Sequence, residues 1–321
     1  MNSIIQVRGL TRRYVDVMAV NDLSFDIEPG CVVGFVGANG AGKTTTMRIM
    51  ATLDMPSSGS IRICGFDAVN FPSEVRRRIG WMPDAYGTYE YMTVYEYLDF
   101  FGRAFGFKGQ DRKGRIEEVM EFTDLIGIAG RQMNQLSKGM GQRLCLGRTL
   151  INDPDVLILD EPAAGLDPKA RMDLIRLIRL LAKDGKTIFI SSHILSELGE
   201  MCDTMLFIDH GRLVHHGSAE SLTQQQGDDV IVAVQVIGDE QLLYEWAMLH
   251  PGVRMLDEVN GGARLVFDSS NPEDLAAHLR KMVNDGLRVT EFHRELRRLE
   301  DAFVSILSSK GPPPLPMEGA S

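Results

Sequence analysis

The run Gly37-Ala38-Asn39-Gly40-Ala41-Gly42-Lys43-Thr44 places glycines, a lysine and a hydroxyl at the spacing G-x-x-x-x-G-K-[ST], which suits a chain of phosphates. Its glycines let successive backbone N–H groups turn inward around an anion, and a helix opening at Gly42 aims its positive dipole end at the same place. Lys43 then reaches the β- and γ-phosphates of a nucleotide, Thr44 offers a hydroxyl to Mg²⁺, and Thr45 is a further candidate for binding the nucleotide. A second set is Val156-Leu157-Ile158-Leu159-Asp160-Glu161. An apolar strand ending in two carboxylates puts Asp160 where it can hold Mg²⁺ through water. It presents Glu161 at the strand's C-terminal edge beside the γ-phosphate, as a general base. The alternative for this set is a buried strand with an ordinary acidic end.

Such groups work only if a fold brings them together. The apolar run Cys31 to Val36 reads as a buried strand delivering the loop, and Lys43 to Leu53 has the period of the helix that must follow. Residues 1 to about 222 alternate apolar runs with helical patterns, which predicts an α/β domain with a central sheet covered on both faces. Its strands are expected at Ile4-Arg8, Leu23-Ile27, Cys31-Val36, Gly59-Ile63, Arg78-Met82, Val156-Leu159, Thr187-Ser191 and Met205-Asp209. From Tyr86 to Arg148 the strand signal gives way to helix-compatible sequence, so a helical insert is expected over about 86–150. The polar stretch 223–229 reads as a linker. Residues 230–309 restart the pattern on a smaller scale, in the order βαββαβ plus a final helix Leu296-Leu307, as in a small α+β unit of ferredoxin-like type. Residues 310–321, with Pro312-Pro313-Pro314-Leu315-Pro316, read as a disordered extended tail.

Composition narrows the partners. With 321 residues, 44% apolar and 24% charged, the chain is long enough for two ordinary soluble domains. A formal net charge of −10 with no block of lysines and arginines disfavours duplex nucleic acid as the principal partner. Cys31, Cys64, Cys145 and Cys202 are widely spaced with no C-x-x-C pair, and read as reduced core residues in a cytosolic protein. The first residues lack a signal-peptide pattern, and no run of about 18 apolar residues is present to span a bilayer.

Leu136-Ser137-Lys138-Gly139-Met140-Gly141-Gln142-Arg143 stands upstream of the acidic strand, heading a helical stretch, and a Ser/Gly head on a helix is a further anion site. With this motif in place, residues 1–222 resemble the ATP-binding subunit of ABC transporters. That family carries, in order, a Walker A loop (here Gly37 to Thr44), a signature (Leu136 to Met140) and a Walker B strand with glutamate (Val156 to Glu161). A D-loop (Ala164-Gly165-Leu166-Asp167) and a switch histidine, His193 after Ser191-Ser192, complete the set. The resemblance implies a P-loop NTPase fold of the ABC ATPase type, with ATP and Mg²⁺ as cofactors. It implies hydrolysis coupled to a separate transmembrane permease, and a cytoplasmic protein lying peripherally on the inner face of the cell membrane. Tyr14 would stack on adenine, although the residues alone also allow a partly buried core tyrosine. Two subunits would sandwich two ATP molecules head to tail as a homodimer. Ser137 and Gly139 would then contact the γ-phosphate in the partner's loop, Asp167 would link the two sites, and His193 would bridge the γ-phosphate and the attacking water.

Three departures from the family pattern sharpen the expectations. Asp84 stands where the family usually has a glutamine; it is expected to act with Thr44 and Asp160 on the metal side, against the alternative of a solvated loop carboxylate. Lys138 and Met140 replace the signature's first glycine and last glutamine, a variant resembling bacterial exporter-type subunits, as does Leu299-Glu300-Asp301-Ala302-Phe303 near the end. Aromatic residues crowd the segment after Asp84, with Tyr89 and Tyr91 as candidate permease anchors or as core packing. The competing class is a non-transport ABC ATPase acting on nucleic acid or ribosomes; a single compact cassette and the acidic balance argue against it. A nucleotide sensor would lack the base, and Glu161 is present. The small C-terminal unit reads as regulatory or dimer-supporting.

Overall fold

The computed structural model describes residues 3–85, 87, 89–192, 194–218, 221 and 229–295. The chain divides into two compact units, Met1–Ala219 and Glu220–Ser321. His193, Tyr86, residues 223–228, the expected helix Leu296–Leu307 with its Leu299–Phe303 segment, and the proline-rich end lie outside the described residues.

The described residues of the first unit form two sheets where sequence alone predicts one. Strands β1 (Ile5–Tyr14) and β2 (Val17–Ile27) form a hairpin that β4 (Ser58–Ile63) and β5 (Phe66–Asp67) extend, in the antiparallel order β2-β1-β4-β5. The other sheet takes β3 (Val32–Val36), β6 (Ile79–Met82), β7 (Val156–Leu159), β8 (Thr187–Ser192), β9 (Thr204–Asp209) and β10 (Arg212–Gly217), in the order β10-β9-β3-β8-β7-β6. All its pairings are parallel except β10 on β9. The split follows from burial. β3, β7 and β8 are buried at every residue, as parallel strands covered on both faces must be, whereas β1 and β2 alternate and leave one face open. The inner faces share one core, in which Phe25 of the hairpin stacks on Phe189 of β8 with ring centres 5.8 Å apart.

Helix α1 (Lys43–Met50) leaves β3 through the glycine loop. Two glycines there are steric necessities. A Cβ at Gly37 would collide with the Ile208 carbonyl, and one at Gly42, whose φ is +106°, with the Ala19 carbonyl. After α2 (Pro72–Arg78) and β6 comes the helical segment α3 (Val94–Ala104), α4 (Gly109–Phe122) and α5 (Lys138–Leu150). Thr93 and Glu96 form a capping box at the head of α3, and Asp99 ties α3 to α4 through Arg112 Nε at 2.6 Å. Helices α6 (Pro168–Lys183) and α7 (Leu195–Met201) follow β7 and β8.

The second unit runs β11 (Val230–Val236), α8 (Gln241–Leu249), β12 (Val253–Val259), β13 (Gly262–Phe267), α9 (Pro272–Asn284) and β14 (Val289–Glu295). Its sheet is antiparallel throughout, in the order β12-β13-β11-β14, the ferredoxin-like arrangement. Val232, Val234, Leu265 and Phe267 meet Leu243, Trp246, Leu275 and Met282 of the two helices in its core.

Candidate ATP-binding site

A cavity of about 480 Å³ opens over the start of α1, lined by Ala38, Asn39, Gly40, Gly42, Lys43, Thr44 and Thr45 of the loop together with Asp84, Glu161 and Ala164. Val17 and Ala19 of β2 close one side. The chain thus gathers groups from the ends of β2, β3, β6 and β7 at one helix N-terminus, where backbone N–H groups and the dipole favour an anion. Gly37 and Ala41 shape the loop beneath the cavity. The Gly37 carbonyl accepts from Lys43 Nζ at 2.7 Å, and Ala41 N donates to the Ala38 carbonyl at 3.1 Å. Lys43 is 6% exposed, and its ammonium lies 3.7 Å from Glu161 Oε1.

Asp160 sits below, 1% exposed, accepting from the Ser191 hydroxyl at 2.7 Å and from the Thr44 hydroxyl. Burial pushes its carboxyl above the usual aspartate range; the two hydroxyls oppose the rise, and the charges of Glu161 and Asp84 add to it. Glu161 has φ +48°, a left-handed backbone uncommon outside glycine, and its N–H donates to Ser191 Oγ at 2.8 Å. One buried serine therefore holds both carboxylate residues, its O–H on Asp160 and its lone pair on the Glu161 amide. Ser191 is the residue that motif reading left without a role; the signal was a polar pair, Ser191-Ser192, closing an otherwise apolar strand.

Other candidates sit elsewhere. Ser137 caps α5, accepting from Met140 N at 3.3 Å, and Asp167 caps α6, accepting from Ala170 N at 3.0 Å. These two helix heads adjoin. A Cβ at Gly139 would stand 2.8 Å from Ala170 Cβ, and one at Gly165 would collide with Lys138 Nζ. Signature and D-loop thus form one surface, and neither Ser137 nor Gly139 lines the Lys43 cavity. Tyr14 does not line it either, although its cross-strand partner Val17 does.

The family model for the ABC transporter matches residues 20–164. The Nod factor export ATP-binding protein I of Ralstonia nicotianae is 36% identical over 308 residues, covering 94% of this chain and 93% of that protein. The chain belongs to the ATP-binding subunits of ABC transporters. A second member, the ABC transporter ATP-binding protein NatA of Bacillus subtilis, is 40% identical over 228 residues, covering 70% of this chain and 93% of NatA. A solved ATP-binding subunit of an ABC transporter matches with a TM-score of 0.63 at 28% identity, covering 70% of this chain and 93% of that one. As an ABC ATP-binding subunit the protein is an ATPase coupled to transport. Among the described residues no helix is long and apolar enough to cross a membrane.

Proposed function

We propose that this ATP-binding subunit works as a homodimer on the inner face of the cell membrane, driving export through a separate permease. One observation carries the reading. The cavity assembles Lys43, Thr44, Asp84 and Glu161, yet Ser137 and Gly139 head another surface of the same chain. A second copy packed head to tail would bring its Ser137 and Gly139 over the γ-phosphate, with Asp167 beside the junction. His193, outside the described residues, would hold the attacking water.

Hydroxyl and carboxylate oxygens are the donors a small hard cation takes, and Thr44 and Asp160 already hydrogen-bond each other beneath the cavity. Among the described residues no group of three or more His, Cys, Asp or Glu could hold a metal by itself. Mg²⁺ binds one or two protein oxygens and completes its shell with phosphate and water. Thr44 and Asp160 would hold it, with Asp84 contributing through water. Mg²⁺ would neutralise charge on the phosphates when bound. Lys43 would exchange the Gly37 carbonyl for phosphate oxygens, and Glu161 would take the proton from the water attacking in line. Tyr14 would stack on adenine.

For the permease, an apolar groove of about 340 Å³ runs between Leu53, Trp81, Phe101, Phe105 and Arg148, and the loop ahead of α3 carries exposed Tyr89 and Tyr91. It suits a short helix with apolar anchors. Tyr97, by contrast, is 1% exposed and belongs to the core. The export direction is supported by relatives named for export, and action on nucleic acid or ribosomes is supported by none of these features. The Glu220–Ser321 unit would serve regulation or dimer support.

Glu161→Gln tests the reading. Turnover should fall by about 10²–10⁴-fold while ATP drives stable dimers, measured by phosphate release and light scattering. A chain that stays monomeric at saturating ATP would sink the dimer, and full turnover would sink the base.

A further inference from the structure

Arg12, Tyr14 and Asp54 form a contact set outside the phosphate cavity. Arg12 and Tyr14 are two residues apart at the end of β1, and the Arg12 guanidinium carbon lies 4.5 Å from the centre of the Tyr14 ring. Asp54 meets both: its Oδ1 is 2.8 Å from Arg12 Nη2, and its Oδ2 accepts from the Tyr14 hydroxyl at 2.6 Å. One carboxylate thus anchors the ring's edge and the cation against its face. The Arg12 and Asp54 side chains are 23% and 16% exposed, and Arg12 Nε is buried with no hydrogen-bond partner among the described residues, with the ring as an electron-rich neighbour. Burial opposes ionisation of Asp54. The Tyr14 hydroxyl, the Met55 amide and the Arg12 and Arg48 charges together outweigh it and hold the carboxyl below the usual range.

This set is bolted to the helix that begins at the Lys43 cavity. Asp54 stands just beyond α1, where Leu53 N donates to the Arg48 carbonyl at 2.8 Å. The loop is stitched back onto β1 by Ser57 N on the Thr11 carbonyl at 2.7 Å and by Arg13 N on Ser57 Oγ at 3.0 Å. Lys43 begins the same helix, whose eight residues span about 12 Å. Resting on the proposed adenine contact of Tyr14, we infer that Arg12 and Asp54 are positioning residues for the base of the nucleotide. They fix the Tyr14 ring with one face on the guanidinium and the other presented to a purine, at a set distance from Lys43. The cation draws electron density from the ring and so favours stacking with an electron-rich base. The pair acts on affinity and takes no part in the chemical step.

Inorganic tripolyphosphate, which carries the phosphates without a base, separates these roles. In the full chain, Tyr14→Ala should weaken ATP binding about tenfold, and Arg12→Leu or Asp54→Asn about three- to tenfold, with tripolyphosphate affinity unchanged in all three. For Arg12→Leu and Asp54→Asn, KM for ATP should rise in step while kcat at saturation holds, and Arg12→Lys should recover part of the loss. If Tyr14→Ala leaves the ratio of ATP to tripolyphosphate affinity unaltered, the adenine contact fails and the clamp falls with it. If Tyr14→Ala shifts that ratio but Arg12→Leu and Asp54→Asn do not, the clamp alone is overturned. A parallel loss of tripolyphosphate binding in those two variants would also overturn it, since their role would then be general support of the fold.

Discussion

Lys43 in the first unit and Arg264 in the second are both buried cations, 6% and 2% exposed, and they are held in opposite ways. Arg264 sits between two carboxylates, with Nε 2.7 Å from Glu295 Oε2 and Nη1 3.0 Å from Asp257 Oδ2. Its planar fork matches them and leaves little for a further anion to gain. Lys43 has its nearest carboxylate at 3.7 Å and spends its shortest bond on the neutral Gly37 carbonyl. A point charge on a flexible stem can leave a carbonyl for a phosphate at small cost. The surroundings repeat the contrast. Near Lys43, burial pushes the Asp160 carboxyl up and Glu161 holds a left-handed backbone, whereas Arg264 lies in an antiparallel strand with an extended backbone, opposite a register shift between Met255 and Asp257 of β12. The second unit settles its buried charge internally; the first leaves charge and strain unresolved around a helix N-terminus, which is what a ligand site requires.

Of the two buried cations, Lys43 should therefore have the larger effect on turnover. Lys43→Ala is expected to cut ATP turnover by about 10²–10³-fold while moving the thermal midpoint by only a few degrees. Lys43→Arg should not rescue it, because the fork does not fit a position built for an ammonium. Phosphate release and thermal unfolding on the same preparations give both numbers. If stability falls as steeply as turnover, Lys43 is structural and the contrast with Arg264 collapses.

Arg264→Leu should show the reverse. Asp257 and Glu295 would lose a shared cation, but both keep some water, with side chains 48% and 22% exposed. The second unit should lose about 2 kcal/mol, below the cost of breaking a fully buried pair, with ATP affinity of the folded chain unchanged. Urea unfolding and nucleotide binding measure the two. A drop in ATP affinity would make Arg264 more than a structural cation.

The same contrast explains what the sequence could disclose. Val156–Leu159 was legible to the residue because a strand buried on both faces is a continuous apolar run, and the loop could be named because its groups are neighbours in the chain. The hairpin was underestimated. Arg12, Arg13 and Asp16 give no apolar alternation, so the expected strands Ile4-Arg8 and Leu23-Ile27 stop short of Tyr14 and Val17, where the ribbon is held by backbone pairing. Strand β10 escaped for a similar reason, having only half-buried and exposed residues. The division into two sheets depends on pairing partners, which run length does not reveal. Asp54 meets Tyr14 across 40 residues and Ser191 meets Glu161 across 30, and no local spacing encodes either contact.

Ser191 supplies the most discriminating test, because it touches the strained side of the comparison without itself lining the nucleotide cavity. Fully buried, it donates to Asp160 and accepts from the Glu161 amide, so one hydroxyl sets the carboxylate below the loop and the backbone that aims the base. Ser191→Ala removes both bonds and leaves a partly buried N–H and a buried carboxylate short of partners, at about 1–3 kcal/mol. With its amide released, Glu161 can relax out of the left-handed region and misplace its carboxylate, so kcat should fall about tenfold with ATP affinity nearly held. Single-turnover hydrolysis alongside equilibrium binding separates the two. Should stability fall while kcat stays at the wild-type value, the strain at Glu161 is incidental to the site, and the unresolved charge around Lys43 alone distinguishes it from Arg264.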